Sequence, residues 1–322
     1  MEPIVNPSPM PERFPGGLPY YSINAYYQRL FGQRTRKISV QISQTCPVRA
    51  VGAELCVFCD ETGAGGMQIR YGESLEEQIR QNALRLTAKT KAEAFLVYFQ
   101  PYTSTFTGLQ HLEKSLRSAL AQPGVKGLVL ATRPDCLPPN LFPLLRELAQ
   151  TTYFSVELGV QSFEEPRVAW LKRGHSAAQS IQAVQDLQTL AQVQVGVHLI
   201  FGLPGMQPSE AAAAADWCNQ LQVENVKLHH LHVLKGAPLE AEFAAGRYHP
   251  PELAEYADQV VAFLSRLNPG IAVQRLAGTV DDPATLVAPA WTLDRVATRR
   301  FILERLTSQG KWQGCEGSPL QP

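Results

Sequence analysis

The sequence lacks the features that define several broad classes of protein. Its formal net charge is zero, with 29 Lys and Arg against 29 Asp and Glu, so no overall basic field would attract nucleic acid. Six cysteines in 322 residues are too few for a disulfide-stapled secreted fold. No apolar run approaches the ~18 residues that a membrane span needs. We therefore expect a cytoplasmic protein with free thiols and no membrane partner.

Prolines crowd the beginning of the chain, and six of them fall within residues 1–19. This composition predicts an irregular arm without regular structure of its own. The same stretch has no apolar core, so it does not resemble a signal peptide. The whole chain is 45% hydrophobic, which is enough to build a full core. We predict an arm over 1–19, one domain over 20–314 with a C-terminal extension from about 240, and a tail over 315–322.

Short apolar runs typical of β-strands alternate with helical patterns along the chain. The predicted strands are 37–43, 93–99, 127–132, 153–160, 195–202 and 225–233, with a further run at 271–278. The predicted helices lie near 74–90, 107–121, 139–150, 164–191, 208–222 and 291–311. Strict alternation predicts βαβ units around a parallel sheet. Six such units indicate an α/β fold of the open (β/α)6 type, a partial TIM barrel with a C-terminal extension of helix and strand.

Three cysteines, Cys46, Cys56 and Cys59, lie in one short stretch with nine and two residues between them. Sulfur ligands select zinc, copper(I) or iron–sulfur clusters. Three thiolates are one short of the usual four-cysteine shell, so one metal position would stay open to a ligand that is not protein. A zinc ribbon needs a second cysteine pair, and the other three cysteines are isolated. We favour a 4Fe–4S cluster with one open iron over an incomplete zinc site or three unrelated thiols.

The stretch VELGVQS places polar groups at the end of the fourth predicted strand, where barrels of this kind hold their sites. Residues two apart share one face of a strand, so Glu157, Gly159 and Gln161 are expected to face the barrel interior, with Ser162 next in sequence. A carboxylate suits the two hydroxyl donors of a ribose. The alternative for Glu157 is a buried ion pair with Lys or Arg that serves structure alone.

Five more residues are candidate ligand contacts, four of them in or after predicted strands and one, Arg173, after a short helix. Gln100 and Thr103 follow the second predicted strand, and Ile200 in the fifth can pack on the face of a base. Arg173 can hold a carboxylate in a bidentate contact that lysine cannot copy. Lys235, at the end of the sixth predicted strand, is a candidate for a charged contact.

Two other groups of side chains carry weaker signals. Three histidines near the sixth predicted strand suggest a metal site, but strand periodicity separates the first from the other two, so contacts with a ligand carboxylate are favoured. Two basic patches could touch phosphates, although such runs are usually only solvated. The histidines are His229, His230 and His232, and the patches are Arg29, Arg34, Arg36 and Lys37, and Arg295, Arg299 and Arg300.

The cysteine loop resembles the cluster loop of the radical S-adenosylmethionine (SAM) superfamily, and twelve stretches in order extend the resemblance to one family within it. They are YYSINAYYQRLFG, TCP, CVFC, YFQPYTSTF, ATRPDCLP, VELGVQS, LKRGHS, HLIFGLPGM, KLHHLHVLKGAPL, QRLAG, LVAPAW and KWQG. Within the superfamily, the sequence is similar to the YhcC/YtqA family and to the radical SAM domain of the elongator catalytic subunit. It departs from that family where Cys46 is followed by Pro-Val-Arg-Ala in place of Pro-Asn-Arg-Asp-Gly.

The resemblance implies a 4Fe–4S cluster and SAM as cofactors, with reductive cleavage of SAM to a 5′-deoxyadenosyl radical that abstracts hydrogen from a substrate. It implies an electron donor such as flavodoxin or ferredoxin, and tRNA as a candidate partner through modification of its wobble uridine. No catalytic residue is assigned beyond the cluster ligands Cys46, Cys56 and Cys59. The residues expected to contact SAM are Gln100, Thr103, Glu157, Gln161, Ser162, Arg173, Ile200 and Lys235.

Two alternatives to this function remain open. One is a radical SAM enzyme that acts on a small metabolite or on a protein. The other is a non-catalytic iron–sulfur protein that serves electron transfer or binding. Cleavage of SAM by the reduced protein distinguishes the second alternative from both enzyme hypotheses.

Overall fold

The computed structural model describes residues 14–43, 45–60, 73–280 and 282–317. The predicted arm is therefore described only from residue 14 onward, and the predicted tail only as far as residue 317. Within these ranges, none of the helices is both long enough and apolar enough to cross a membrane.

Nine strands are present in the described part of the chain, and seven of them form one parallel sheet. The sheet has the order β1-β2-β3-β4-β5-β6-β8, and β7 pairs antiparallel with β9 in a second, two-stranded sheet. The large sheet curls into an open half-barrel, so the predicted α/β partial TIM barrel is confirmed. The strands are β1 (Thr35–Val40), β2 (Ala94–Phe99), β3 (Val125–Thr132), β4 (Tyr153–Gln161), β5 (Val193–Phe201), β6 (Asn225–His230), β7 (Val233–Leu234), β8 (Ala272–Val273) and β9 (Leu286–Ala288).

Helices connect successive strands and cover the outer face of the sheet. Several begin at a serine whose side chain accepts a hydrogen bond from a backbone N–H of the first turn, as at Ser22, Ser74 and Ser176. The helices are α1 (Ile23–Phe31), α2 (Pro47–Ala50), α3 (Leu75–Thr90), α4 (Leu109–Leu120), α5 (Phe142–Thr151), α6 (Glu165–Trp170), α7 (Ala177–Gln188), α8 (Pro208–Gln220), α9 (Pro238–Ala244), α10 (Leu253–Arg266) and α11 (Arg295–Ser308).

Three predicted elements differ from the structure. The helical pattern at 164–191 forms two helices, because Lys172 and Gly174 adopt left-handed conformations that an α-helix cannot contain. The sixth strand ends at His230, and the chain then leaves the sheet to form β7. The run 271–278 contributes only the two-residue strand β8.

The main core lies between the sheet and the helices outside it. In β4, Val156, Leu158 and Val160 point outward into this core, which α5 also lines. Side chains alternate along a strand, so Glu157 and Gly159 between them point to the interior of the half-barrel.

Aromatic side chains close one end of the half-barrel. Tyr27 and Phe31 of α1 pack edge-to-face against Tyr153, the first residue of β4. The hydroxyl of Tyr26 donates to Gln194 Oε1 near the start of β5, at 2.8 Å. Helix α1 therefore covers the amino ends of the strands. The carboxyl ends remain as the place where a site can form.

Candidate active site

A cavity of about 220 Å³ lies at the carboxyl ends of the strands. It gathers nine of the eleven residues that the sequence predicted as cofactor ligands. Ser162 and Lys235 are not among the residues that line it. The nine are Cys46, Cys56, Cys59, Gln100, Thr103, Glu157, Gln161, Arg173 and Ile200.

The cysteine loop is held by backbone hydrogen bonds around Val57. The Cys59 N–H donates to the Cys56 carbonyl at 3.0 Å, which makes a tight turn between two of the thiols. The Val57 N–H donates to the Leu171 carbonyl at 3.2 Å, and the Leu239 N–H donates to the Val57 carbonyl at 2.9 Å. The buried Val57 side chain packs in the same apolar cluster as Leu171 and Leu239. The loop is thus fixed from two distant parts of the chain.

Two arginines donate to the thiols. Arg49 Nη2 lies 3.2 Å from Cys59 Sγ, and Arg173 Nη1 lies 3.4 Å from Cys56 Sγ. Burial raises the pKa of the Cys59 thiol, and the guanidinium of Arg49 opposes that rise. A positive charge beside a thiol favours its thiolate, which is the form that binds metals.

The cysteine thiols are the candidate metal ligands of the cavity. Within the described ranges, no three His, Cys, Asp or Glu side chains are placed to hold one metal ion. A zinc ion needs its ligands around one centre, whereas a 4Fe–4S cluster takes each cysteine at a different iron. The three thiols line one cavity, so they can supply the three cysteine ligands of a 4Fe–4S cluster with one open iron.

Arg173 reaches the cavity across Gly159. Its Nη2 donates to the Gly159 carbonyl at 3.0 Å, and its guanidinium lies 5.7 Å from the centre of the Phe58 ring. A Cβ atom at position 159 would stand 3.3 Å from Nη2, so glycine allows this close approach. Arg173 is thereby fixed beside both Cys56 and the cavity.

Several buried polar atoms on the cavity wall have no hydrogen-bond partner among the described residues. Buried polar groups are nearly always paired in folded proteins, so such atoms mark where a polar ligand would bind. This group fits the carboxylate, amino and hydroxyl groups of SAM. The atoms are Thr103 Oγ1, Arg133 Nη1, Arg173 Nε and His232 Nε2.

Glu157 is buried in an ion-paired network at the inner end of the cavity. Its carboxylate contacts the ammonium of Lys37, His198 Nε2 lies 2.8 Å from its Oε2, and Gln274 Nε2 donates to its Oε1 at 2.8 Å. Burial alone would raise the pKa of Glu157, but Lys37 and His198 outweigh burial and bring it well below its usual range. This network is the structural alternative that the sequence left open for Glu157. Its contact with SAM stays a prediction.

Lys37 is not part of an exposed basic patch, so that interpretation of the sequence was wrong for this residue. It lies within β1, its side chain is only 16% exposed, and its ammonium stands 4.7 Å from the centre of the Tyr98 ring. Lys227 Nζ approaches the same ring and donates to Tyr98 Oη at 2.8 Å. Side chains alternate along a strand, and Ile38 and Val40 are buried on one face of β1. This alternation is the sequence signal that places Lys37 on the other face, toward the interior of the half-barrel.

Lys235 and Ser162, the two predicted residues that do not line the cavity, make their contacts elsewhere. The side chain of Lys235 is exposed, and its backbone N–H donates to the Thr285 carbonyl at 2.9 Å. Ser162 Oγ accepts a hydrogen bond from the Glu164 N–H at 3.1 Å, which orders the turn before α6. Lys235 was expected at the end of the sixth strand, but β6 has already ended at His230.

The histidines around the cavity are held neutral. Burial and the charge of Lys227 lower the pKa of His198 to about 4, and burial and Arg275 lower the pKa of His232 to about 3. Burial also lowers the pKa of His230, whose Nδ1 accepts from the Gly278 N–H at 3.2 Å. His230 Nε2 therefore carries the proton and donates to Thr292 Oγ1 at 2.6 Å.

We expect the free energy of unfolding to fall as the pH drops from about 7 to about 4. Unfolded histidines take up protons near their usual pKa of about 6.5, while His198 in the folded protein does so only near pH 4. The unfolded state binds more protons in this window, so acid favours unfolding. Urea unfolding across this pH range measures the effect, and a His198→Asn variant should show a shallower dependence. Equal stability at pH 7 and pH 5 would contradict buried neutral histidines.

A curled parallel half-barrel with a three-cysteine loop after its first strand defines a class of cluster-dependent enzymes. The family model of the radical SAM superfamily matches residues 40–218, and the model of the radical SAM C-terminal domain matches residues 223–308. The chain therefore belongs to the radical SAM superfamily. Enzymes of this superfamily use a 4Fe–4S cluster and SAM and need a reductant, so the chain is an enzyme with these cofactors.

Several known proteins are similar to this chain over most of its length. YtqA of Bacillus subtilis is 30% identical over 92% of this chain and 92% of its own. MJ0486 of Methanocaldococcus jannaschii is 31% identical over 94% of each chain. The archaeal Elp3 of Methanocaldococcus infernus has a similar fold, with a TM-score of 0.63 and 17% identity over 87% of this chain and 64% of that one.

Proposed function

We propose that this radical SAM enzyme modifies the wobble uridine of tRNA. One observation carries the proposal. A tRNA uridine(34) acetyltransferase of Methanocaldococcus jannaschii is 27% identical over 164 residues, which are 50% of this chain and 29% of that protein. Position 34 of tRNA is the wobble position. Acetyl transfer itself is not part of the proposal, because the match covers less than a third of that protein.

The cavity residues provide the means to hold both cofactors. Cys46, Cys56 and Cys59 would bind the cluster, and Arg49 and Arg173 would stabilise the thiolates. The chemistry supplied by the bound cofactors is reductive cleavage of SAM and abstraction of hydrogen from the substrate.

The polar and apolar sides of the cavity would divide the contacts with SAM. The unpaired Arg173 Nε and Thr103 Oγ1 are donors for its carboxylate, and Gln100 and Gln161 are further polar contacts. Ile200, Leu231 and Leu234 form an apolar wall that can pack on adenine and exclude water. Ser162 and Lys235 would take part only if their surroundings rearranged, so we leave them out of the proposed set.

The proposed partners follow from the chemistry. An electron donor such as flavodoxin or ferredoxin would reduce the cluster, and tRNA would be the substrate. A cluster on three thiolates needs a reducing compartment, and tRNA modification takes place where tRNA is used. We therefore propose the cytoplasm as the location.

The experiment compares tRNA from cells with and without the gene. The tRNA is digested to nucleosides, and chromatography with mass spectrometry measures each modified uridine. We expect one wobble-uridine derivative to disappear and its precursor to accumulate when the gene is deleted. Purified enzyme with dithionite and SAM should then convert the precursor in tRNA from the deletion strain. Identical nucleoside profiles would instead favour a small metabolite or a protein as substrate.

A further inference from the structure

A second, larger concavity lies at the open side of the half-barrel. We call it the α11 groove. It has a volume of about 1040 Å³ and lies between residues 17–24, residues 273–279 and α11. Residues 20–22 run beside β8 at the free edge of the sheet, where the Val273 N–H donates to the Tyr21 carbonyl at 2.8 Å. The groove thus lies beside β8, the strand at one end of the large sheet.

The α11 groove is strongly basic, although the chain as a whole has zero net charge. Its described lining contains one acidic residue, Glu304. Three of its basic residues are exposed along α11, and the long distance of 3.9 Å between Arg300 Nε and Glu304 Oε1 leaves that pair weak. The basic lining residues are Lys89, Arg275, Arg295, Arg299 and Arg300.

Side chains that line the α11 groove contact side chains that line the cofactor cavity. Gln274 and Arg275 both line the groove. Gln274 Nε2 also donates to Glu157 Oε1 at 2.8 Å, and the guanidinium of Arg275 contacts the ring of His229. Glu157 and His229 in turn line the cofactor cavity. A long ligand in the groove would therefore lie within one side-chain layer of the place where SAM would bind.

We propose that the α11 groove binds the phosphate backbone of the RNA substrate. Arg295, Arg299 and Arg300 would contact phosphate oxygens, for which the planar guanidinium of arginine is well suited. A polyanion matches a basic groove, and an enzyme that acts on a base needs the backbone held beside its cavity while the nucleoside turns out of the stack. This inference rests on the proposed function and adds the surface by which the RNA would bind.

The test measures the affinity of the cluster-loaded full chain for tRNA at several salt concentrations by fluorescence anisotropy. The groove variant combines Arg295→Ala, Arg299→Ala and Arg300→Ala. The control variant combines Lys114→Ala, Lys126→Ala and Arg146→Ala, which are exposed basic residues outside the groove and remove the same charge. Circular dichroism and urea unfolding establish that each variant is folded.

We expect the groove variant to bind tRNA more weakly than the wild-type enzyme. The magnitude of the slope of log binding constant against log salt concentration should fall by about 3, because each lost phosphate contact lowers that slope by about 1. The control variant should match the wild-type slope. If both variants weaken binding equally, or if neither does, the groove assignment is overturned while the proposed tRNA substrate stands. If wild-type enzyme that cleaves SAM binds no tRNA, the proposed function and the groove assignment both fail.

Discussion

Replacing Cys56 with alanine is expected to reduce the formation of 5′-deoxyadenosine from SAM to the level of a protein-free control. Cys56 is buried and is one of the three thiols on the cavity wall, so its loss leaves a cluster with two protein ligands. A 4Fe–4S cluster normally needs cysteine at each iron that the protein holds. The measurement is anaerobic reconstitution with iron and sulfide, followed by dithionite and SAM, with chromatography of the products and an assay of bound iron.

Cys315→Ala is the matched control for this variant. Cys315 is only partly buried, its Sγ accepts from the Trp312 N–H at 3.5 Å, and it does not line the cavity. We expect this variant to bind iron and form 5′-deoxyadenosine at the wild-type level. Product from the Cys56→Ala variant would show that the cluster ligands are assigned wrongly. A wild-type protein with a full cluster and no product would instead support an electron-transfer or binding protein.

The half-barrel was predictable because its strands carry a strong local signal. Strands buried on both faces read as continuous apolar runs, and all six residues of β2 are buried. The alternation of these strands with helices along the chain then predicted that the strands run parallel in one sheet. Gly174 is a sequence marker for the helix end between α6 and α7, since glycine often follows a helix, whereas the left-handed conformation of Lys172 has no marker in its residue type. The brief strand β8 depends on pairing with β6 and on the segment around Tyr21, which are both distant in sequence.

Part of the candidate site was also predictable from the local sequence signal of the strands. Gly159 faces the cavity because strand periodicity determines its face, whereas Gln161 lines the cavity beyond a register shift and with a left-handed backbone, which periodicity does not predict. The partners of Glu157 could not be identified this way, since Lys37 and Gln274 are 120 and 117 residues away along the chain. Only the curvature of the sheet brings β1 and the segment after β8 to the same carboxylate. Lys235 was misplaced because the chain leaves the sheet at His230, so periodicity no longer applied beyond that residue.

Replacing Glu157 with glutamine is expected to lower the free energy of unfolding by about 3 kcal/mol, since removing one partner of a buried ion pair typically costs that much or more. Glutamine keeps the shape of the side chain and removes its charge. The ammonium of Lys37 would keep its contact with Gln274 Oε1 at 2.9 Å but lose its carboxylate. Urea unfolding at neutral pH, where Glu157 is ionised because its pKa lies well below the usual range, measures the loss.

Asp216→Asn is the control for this second variant, because it makes the same chemical change in an exposed ion pair with Arg266. The two side chains of that pair are 48% and 41% exposed, so we expect a loss below about 1 kcal/mol.

A double variant, Glu157→Gln with Lys37→Met, shows whether the ion pair itself accounts for the loss. It removes both charges of the pair, so it should be more stable than the sum of the two single changes implies.

If the Glu157→Gln variant is as stable as the wild-type protein, the carboxylate is not needed to balance the charge of Lys37. If that variant kept its stability and yet bound SAM more weakly, Glu157 would serve the ribose of SAM, as the sequence first suggested. Loss of stability with unchanged SAM binding would show that the buried network exists to hold the end of the half-barrel together.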